Sequence, residues 1–366
     1  MDNNIYWLWF TNIKGLGYRR RRFLLETFLS PEAIFLLEDR VLLDFLESNR
    51  MGAAGLEEEL KRSKQNLAAV ERYHGGLLEQ GIRTLSLEDP EYPRELREIH
   101  APPHVLYLRG TWPKADLRVG IVGSRRSTQY GRQTARILGK ELAKRGVCVV
   151  SGMAVGIDGE AHWGALEGGG ETVAVLGSGV LECYPPSNRN LMERIIGQGA
   201  VLSEEPVHAK PVPGLFPKRN RIISGLCRGL VVVEAAHKSG SLITAHDALE
   251  QGRDVFAVPG RWNDAQSEGA NRLIQAGAKM VLGVEDILEE LGIGAGKQGE
   301  NSEKIEKTLD EREKMVYSCM SLEPIFLDRI LSITGLQIGD LMLCLMQLEL
   351  KALVEALPNR YYVRCP

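Results

Sequence analysis

No CxxC pair occurs in this 366-residue chain; its six cysteines, Cys148, Cys183, Cys227, Cys319, Cys344 and Cys365, are scattered singly. A disulfide framework and a zinc site both lack their ligands, and each thiol reads as a small buried hydrophobe. No apolar run approaches the length of a membrane span, and Met1-Asp2-Asn3-Asn4 carries neither a basic region nor a small-residue cleavage site. The expected location is the cytoplasm, with no membrane partner. Charge of one sign is also missing: 45 Lys and Arg stand against 48 Asp and Glu, a formal net charge of −3. A polyanionic partner would have to meet a local concentration of cations. GxxxxGK[ST] is absent, which argues against a P-loop ATPase. The dinucleotide fingerprint is absent too. Its nearest match, Gly177-Ser178-Gly179-Val180-Leu181-Glu182, places Glu182 where a third glycine would allow close helix packing, and Pro185-Pro186 follow instead of a helix start.

Four glycine and serine turns are present, each following a short apolar run: Gly123-Ser124-Arg125, Ser151-Gly152-Met153, Gly177-Ser178-Gly179 and Ser239-Gly240-Ser241. Small residues let the backbone approach a ligand closely, and the first N–H groups of a following helix face an anion under a favourable dipole. On one parallel sheet, four such turns are expected to gather at its carboxyl edge as a row of phosphate sites. A row suits a polyanionic strand better than a mononucleotide.

The apolar runs are Val119–Val122, Val147–Val150, Thr172–Leu176, Ala200–Leu202, Leu230–Val233, Val255–Val258 and Lys279–Leu282, most separated by helix-length segments of mixed charge. That alternation predicts βαβ units and a mostly parallel, doubly wound Rossmann-like α/β sheet over residues 66–291. A strand is also expected at Val105–Leu108, after the extended stretch Asp89-Pro90-Glu91-Tyr92-Pro93. Residues 1–65 read as a small helical domain. Within it, Ile13-Lys14-Gly15-Leu16-Gly17 and the arginines 19–22 resemble a helix-hairpin-helix, equally readable as a solvated basic face. Residues 292–308 have linker composition, and 309–366 suggest three helices with two strands around Pro358-Asn359-Arg360, a winged-helix pattern. Its third helix, from Asp340 to Leu348, has almost no base-reading side chain, which favours a structural or protein-contact role.

The stretch Phe216-Pro217-Lys218-Arg219-Asn220-Arg221 combines three cations, an amide and an aromatic. Lys218, Arg219 and Arg221 suit phosphate, Asn220 a phosphate or base edge, and Phe216 a splayed base, so the mixture favours single strands. One of the two arginines is expected instead in a structural ion pair. Arg125 is the leading candidate for phosphate contact, with Arg126 and Lys238 flanking their turns. Asp158 is expected to cap a helix, with His162 one turn on, rather than to form a metal or acid–base pair. His237 and His246 read as surface histidines.

The rival reading is a nucleotide-binding enzyme related to lysine-decarboxylase-like phosphoribohydrolases, whose PGGxGTxxE motif supplies a carboxylate for N-glycosidic cleavage. Here Lys238-Ser239-Gly240-Ser241-Leu242-Ile243-Thr244 puts Thr244 where that glutamate would be, and a hydroxyl cannot supply the charge.

Four motifs in order, Gly120-Ile121-Val122-Gly123-Ser124-Arg125, Ser151-Gly152-Met153-Ala154-Val155-Gly156-Ile157-Asp158, Phe216 to Gly225 and Lys238 to Thr244, resemble the bacterial DNA-processing protein (DprA/Smf) family. The resemblance implies a non-enzymatic single-stranded DNA-binding protein that protects incoming DNA in natural transformation and loads the RecA recombinase. It implies a homodimer through the Rossmann-like domain, needing no cofactor, between a SAM or helix-hairpin-helix-like N-terminal domain and a winged helix. The DNA-binding positions carried over are Gly123, Ser124, Arg125, Phe216, Arg219, Asn220, Arg221 and Ser239-Gly240-Ser241; Gly152, Lys218 and Lys238 lie in the same motifs. Pro213 stands where the family often has a lysine, with Lys210 and Lys218 nearby. The segment Asn271-Arg272-Leu273-Ile274 is a candidate dimer surface.

Overall fold

The alternation of apolar runs with helix-length segments folds into a nine-stranded sheet. A computed structural model describes residues 3–52, 55–292, 309–320, 325–351, 353–357 and 360–364. These fall into two compact units, 1–287 and 288–366. The first opens with helices α1 (Asn3–Asn12), α2 (Tyr18–Phe28), α3 (Pro31–Leu36), α4 (Asp39–Ser48), α5 (Leu56–Gln65) and α6 (Leu67–Glu79). Strand β1 (Ile82–Ser86), the short α7 (Arg94–Arg97) and β2 (Val105–Gly110) follow. Then β3 (Arg118–Val122), α8 (Gln129–Lys144), β4 (Cys148–Ser151), α9 (Ile157–Glu167), β5 (Thr172–Val175), α10 (Arg189–Gln198) and β6 (Ala200–Ser203) alternate. The pattern continues through α11 (Leu215–Gly225), β7 (Gly229–Val232), α12 (Gly240–Glu250), β8 (Asp254–Ala257), α13 (Glu268–Gln275), β9 (Lys279–Met280) and α14 (Val284–Glu290).

The spatial order is β1-β2-β6-β5-β4-β3-β7-β8-β9. β3 to β9 are mutually parallel, while β2 runs antiparallel to both β1 and β6. From β3 the chain moves outward to β6, then returns through α11 to β7 on the other side of β3. The carboxyl ends of β3 and β7 therefore flank the point where the winding reverses, the place where open α/β sheets hold ligands. Register pairs Val122 with Val232, so the turns leaving these strands start side by side.

Both sheet faces are covered, which is why the strands are apolar throughout rather than alternating. Ile222 and Ile223 of α11, Leu226 just after it, and Ala245 and Ala248 of α12 pack on Val122, Val150 and Val232. Leu166 of α9 and Leu191 and Ile195 of α10 pack on Ala174 and Val201 of the other face. Helices α8 and α9 meet backbone to backbone: a Cβ at Gly164 would lie 2.0 Å from the Arg136 carbonyl oxygen. The central stretch Ile5–Phe10 of α1 is apolar on every side, so it is buried on every side. Trp7 and Leu8 join the sheet core, and Trp9 and Phe10 join the core of α2 to α5.

In the second unit, α15 (Glu311–Ser318), α16 (Leu327–Thr334) and α17 (Ile338–Leu350) accompany a three-stranded sheet of β10 (Ile325–Phe326), β12 (Tyr361–Arg364) and β11 (Val354–Leu357), in that order. The winged-helix expectation holds, with one adjustment. Ile325 and Phe326 form a strand paired with Tyr362 and Tyr361, so the sheet has three strands where two were expected. Residues 293–308 of the expected linker lie outside the described residues. Among the described residues no single helix is long and apolar enough to cross a membrane.

Candidate functional site

Two of the four turns open onto one cavity of about 660 Å³ at the β3/β7 switch point. Gly123 ends β3 where only glycine fits: a Cβ there would meet Ile157 at 2.6 Å and the Glu234 carbonyl oxygen at 2.8 Å. Ser124 donates its backbone N–H to that carbonyl at 2.7 Å and its hydroxyl to Gln266 Oε1 at 2.7 Å. Exposed Arg125 holds its guanidinium 5.0 Å above the Phe216 ring, so the expected phosphate contact and the expected stacking face meet each other. Across the cavity, Ser239 caps α12, accepting weakly from the Ser241 N–H at 3.4 Å, and the two serine hydroxyls are 2.7 Å apart. Lys238 and Gly240 are exposed there.

The first turn does not hand a helix terminus to a ligand. α8 begins at Gln129, where the Thr128 hydroxyl accepts from the Gly131 N–H at 3.1 Å. The buried Glu234 carboxylate accepts from the Thr128 N–H at 2.9 Å, so a protein anion already occupies that positive end. What the turn offers is the Arg125 cation.

The other two turns are filled by the protein itself. A Cβ at Gly152 would lie 2.1 Å from the Arg219 guanidinium, so Gly152 is buried beneath that side chain rather than facing the cavity. At the third turn Gly179 donates to the Ala209 carbonyl at 2.8 Å and Leu181 to that of Val207 at 3.1 Å, while Phe216 covers Gly177. The helix that follows, α10, starts only at Arg189, after a 3₁₀ turn at Pro186–Asn188. Of the four turns expected in a row, two thus face one another across a single cavity.

Helical geometry divides the cationic stretch of α11 between two faces. Phe216, Arg219, Asn220 and Ile223, spaced at three and four, line the cavity. Lys218 and Arg221 point away: Arg221 pairs with Glu204, and Lys218 lies 2.9 Å from Glu205 and 3.4 Å from Glu204. Arg221 is therefore the arginine in the expected structural ion pair. Asn220 Nδ2 donates to the Gly240 carbonyl at 3.3 Å, tying α11 to the fourth turn. Arg219, 6% exposed, donates through Nη1 to the Val175 carbonyl and has a buried Nε without a partner. Burial draws its pKa down to about 10, against the pull of Asp158. Pro213 borders the cavity, and Lys210 is held by Glu182 at 2.9 Å.

Asp158 does not cap α9, whose N-cap Gly156 has no side-chain bond. It lies in the cavity wall, 7% exposed, and burial raises its pKa against Arg219, the Ala154 N–H, Arg125 and the Gly123 N–H. His162 is buried, its Nδ1 2.7 Å from the Thr172 hydroxyl. Thr244 is buried along the same cavity; His237 and His246 are exposed. Sequence reasoning missed Tyr184, whose ring is 5.6 Å from Phe216, and Gln266, because neither sits in a turn motif.

In the N-terminal hairpin Gly15 adopts φ +81°, but two of the adjacent arginines, Arg20 and Arg21, are engaged within the fold. Arg20 donates to the carbonyls of Gly15, Met51 and Gly52, and Arg21 to that of Thr11.

Residues 83–292 match the family model of DNA recombination-mediator protein A, and residues 300–360 match the DprA winged helix domain. The chain is similar to Protein Smf of Synechocystis sp., with 40% identity over 320 residues covering 76% of this chain and 79% of that protein. It is similar to the solved DNA processing protein A of Streptococcus pneumoniae, at TM-score 0.66 and 33% identity, covering 79% of this chain and 98% of that one. It is also similar to DNA processing protein A of Helicobacter pylori, a structure that concerns that protein's single-stranded DNA binding mode. That match has TM-score 0.51 and 30% identity and covers 57% of this chain and 95% of that one.

Proposed function

The chain belongs to the DNA recombination-mediator protein A (DprA/Smf) family, and from that premise we propose that its switch-point cavity binds single-stranded DNA. The carrying observation is that one cavity brings together the Arg125 cation, the open Ser239-Gly240-Ser241 turn, the Asn220 amide and the rings of Phe216 and Tyr184. A flexible strand can place its phosphates on the first pair and splay a base against the last, whereas duplex bases are already stacked. The likeness to the H. pylori protein supports the same ligand.

Within this reading the protein is a binding protein of the cytoplasm, without catalytic residues, that protects incoming DNA in natural transformation and loads the RecA recombinase. Residues 66–291 form the Rossmann-like DNA-binding domain, and 1–65 and 309–366 are flanking modules, the latter joined by 292–308. The chain acts as a homodimer through the Rossmann-like domain, which gives one strand two cavities and an avidity neither has alone. Asn271 is an unsuitable dimer contact, since it bonds both the N–H and the carbonyl of Gly260 at 3.1 Å. Exposed Met280 and Leu282 at the β9 edge are better candidates.

Anisotropy of a labelled single strand and its duplex form, titrated across a salt series with wild-type protein and Arg125→Ala, tests the reading. Tighter single-strand binding is expected, with a steep salt slope that flattens in the variant. Absence of binding to either form refutes it. One observation favours an enzyme instead: Asp158 places a carboxylate in the cavity although Thr244 cannot. Incubation with nucleoside monophosphates, assayed for free base, checks that alternative.

A further inference from the structure

We propose that Trp262 is a stacking platform outside the switch-point cavity, and that a bound single strand leaves the cavity across it, along the carboxyl ends of β7 and β8. The proposal rests on the single-strand reading of the cavity and adds to it the path that the strand takes beyond.

Sheet register sets Val122, Val232 and Ala257 side by side, so the segments leaving β3, β7 and β8 start in line along one edge. The first carries Arg125 and the second the open Ser239-Gly240-Ser241 turn. The third is the loop 259–266, and Gln266 near its end lines the cavity. From Gln266 back to Trp262 is at most about 14 Å of chain. A strand held by the first two segments therefore comes within a few nucleotides of the third.

The loop is held in one shape by its own hydrogen bonds. Asn271 bonds both the N–H and the carbonyl of Gly260 at 3.1 Å, and the Asp264 N–H donates to the Arg261 carbonyl at 3.1 Å. The Asp264 carboxylate accepts from the Gln266 N–H at 2.9 Å, and the Ser124 hydroxyl ties Gln266 to the first turn. These bonds leave the Trp262 side chain on the outside, 90% exposed and without a ring contact to any described residue.

A lone apolar residue on a surface is ordinary. An indole fixed beside free cations on the edge of a strand-binding cavity is a more specific combination. Arg261, its neighbour, and Arg126, on the cavity rim, are exposed and form no ion pair with any described residue. The nearby acids are engaged: Asp264 turns into the loop, and Glu268 lies 2.8 Å from Arg272. A base that has left the cavity has lost its stacking neighbours, and an indole face replaces one of them whatever the base. The adjacent guanidinium suits the phosphate of the same nucleotide. Because the loop is already ordered, little conformational entropy is lost when the strand settles on it.

Tryptophan emission from the full-length protein reads this contact directly. Of the five tryptophans, Trp7 and Trp9 are buried, Trp112 and Trp163 are partly buried, and Trp262 is exposed. The titrants are oligothymidines of increasing length, from about 4 nucleotides upward. The shortest strand should leave the emission unchanged, and longer ones should quench it. Trp262→Ala should remove the quenching and weaken the longer strands about fivefold or more, with the salt slope and the affinity of the shortest strand unchanged. Trp262→Phe should restore much of the lost affinity. Wild-type affinity of Trp262→Ala for every length would overturn the platform and leave the single-strand reading standing. Quenching that persists in the alanine variant would do the same, since it would come from Trp112 or Trp163. Emission that follows protein concentration without DNA would assign the indole to a contact between copies and likewise overturn the proposal. Binding to no strand would remove the single-strand reading and this path with it.

Discussion

The turns after β3 and β7 and the turns after β4 and β5 are built from the same residue types, yet the first two face a cavity and the last two face protein. Gly240 has nothing within 4 Å of where its Cβ would be; at Gly179 the Pro206 and Val207 backbone lies 2.2 Å away. A glycine that admits a ligand and a glycine that admits another part of the chain meet the same local demand for space. What separates them is position on the sheet. β3 and β7 border the winding reversal, where no crossover helix covers the strand ends. Over β4 and β5 lie α11, through Arg219 and Phe216, and the turn at 206–209.

The largest expected effect contrasts the closed turns with the open ones. Gly179→Ala forces a methyl group into backbone that cannot withdraw, and should cost about 4 kcal/mol or more, or prevent folding. Gly240→Ala, at an exposed position opening a helix, should change stability by less than about 1 kcal/mol. Thermal unfolding of the two variants checks this; similar melting temperatures would erase the distinction between the turns.

Acid reaches the closed pair from behind. His162, on the helix after the Gly152 turn, bonds Thr172 at the start of the strand leading to Gly177, and burial lowers its pKa to about 3. His104, buried among aromatic rings, is lowered to about 4, chiefly by burial and next by Arg21. Below the usual histidine value near 6.5 the unfolded chain gains protons that the folded protein refuses. Stability from these two groups is therefore full above that value and falls as pH drops toward the folded values, by on the order of 2 kcal/mol for each at pH 5. The raised pKa of buried Asp158 acts in the opposite direction, because protonation relieves a buried charge. Denaturant melts at pH 7 and pH 5, repeated on His162→Gln, measure the share of His162; an unchanged pH dependence in the variant would exclude it.

The sheet was legible because seven β-rich runs separated by helix-length segments leave few arrangements, and the strands lie within a residue or two of those runs. The site was legible in its parts but not in its assembly. Which turns stay open depends on strand order, and the return of the chain to β7 after β6 leaves no mark in local sequence. The division of Lys218 and Arg221 from Arg219 and Asn220 follows from helical phase alone. Their acceptors, Glu204 and Glu205, lie in a loop that no periodicity singles out. Asp158 stood within a recognised motif, but its helix-start position favoured capping, and only the fold brings Arg219 beside it.

A matched pair of exposed lysines carries the comparison into binding. Lys238 borders the open fourth turn, whereas Lys218 projects from the far face of α11 toward Glu205. Lys238→Ala should weaken single-strand binding several-fold and lower the log–log salt slope by about 1; Lys218→Ala should leave both unchanged. Titrations at several salt concentrations separate the two. Equal losses would mean that the strand crosses both faces of α11.

The smallest expected effect concerns Ser239, the residue on which the two uses of a turn converge. A serine at a helix start serves either as a cap or as part of an anion cradle. As a cap, its hydroxyl accepts from the N–H of the second or third helical residue, and loss of that bond typically costs about 1 kcal/mol. Here the acceptor distance to Ser241 N is 3.4 Å, at the long end of a useful hydrogen bond, while the Ser241 hydroxyl is closer at 2.7 Å. Ser239→Ala should therefore lower stability by only about 0.5 kcal/mol, the bottom of the capping range, and weaken DNA binding at unchanged fold. A loss near 2 kcal/mol with binding intact would show that the hydroxyl works inward, and that the fourth turn, like the second and third, is closed by the chain's own atoms.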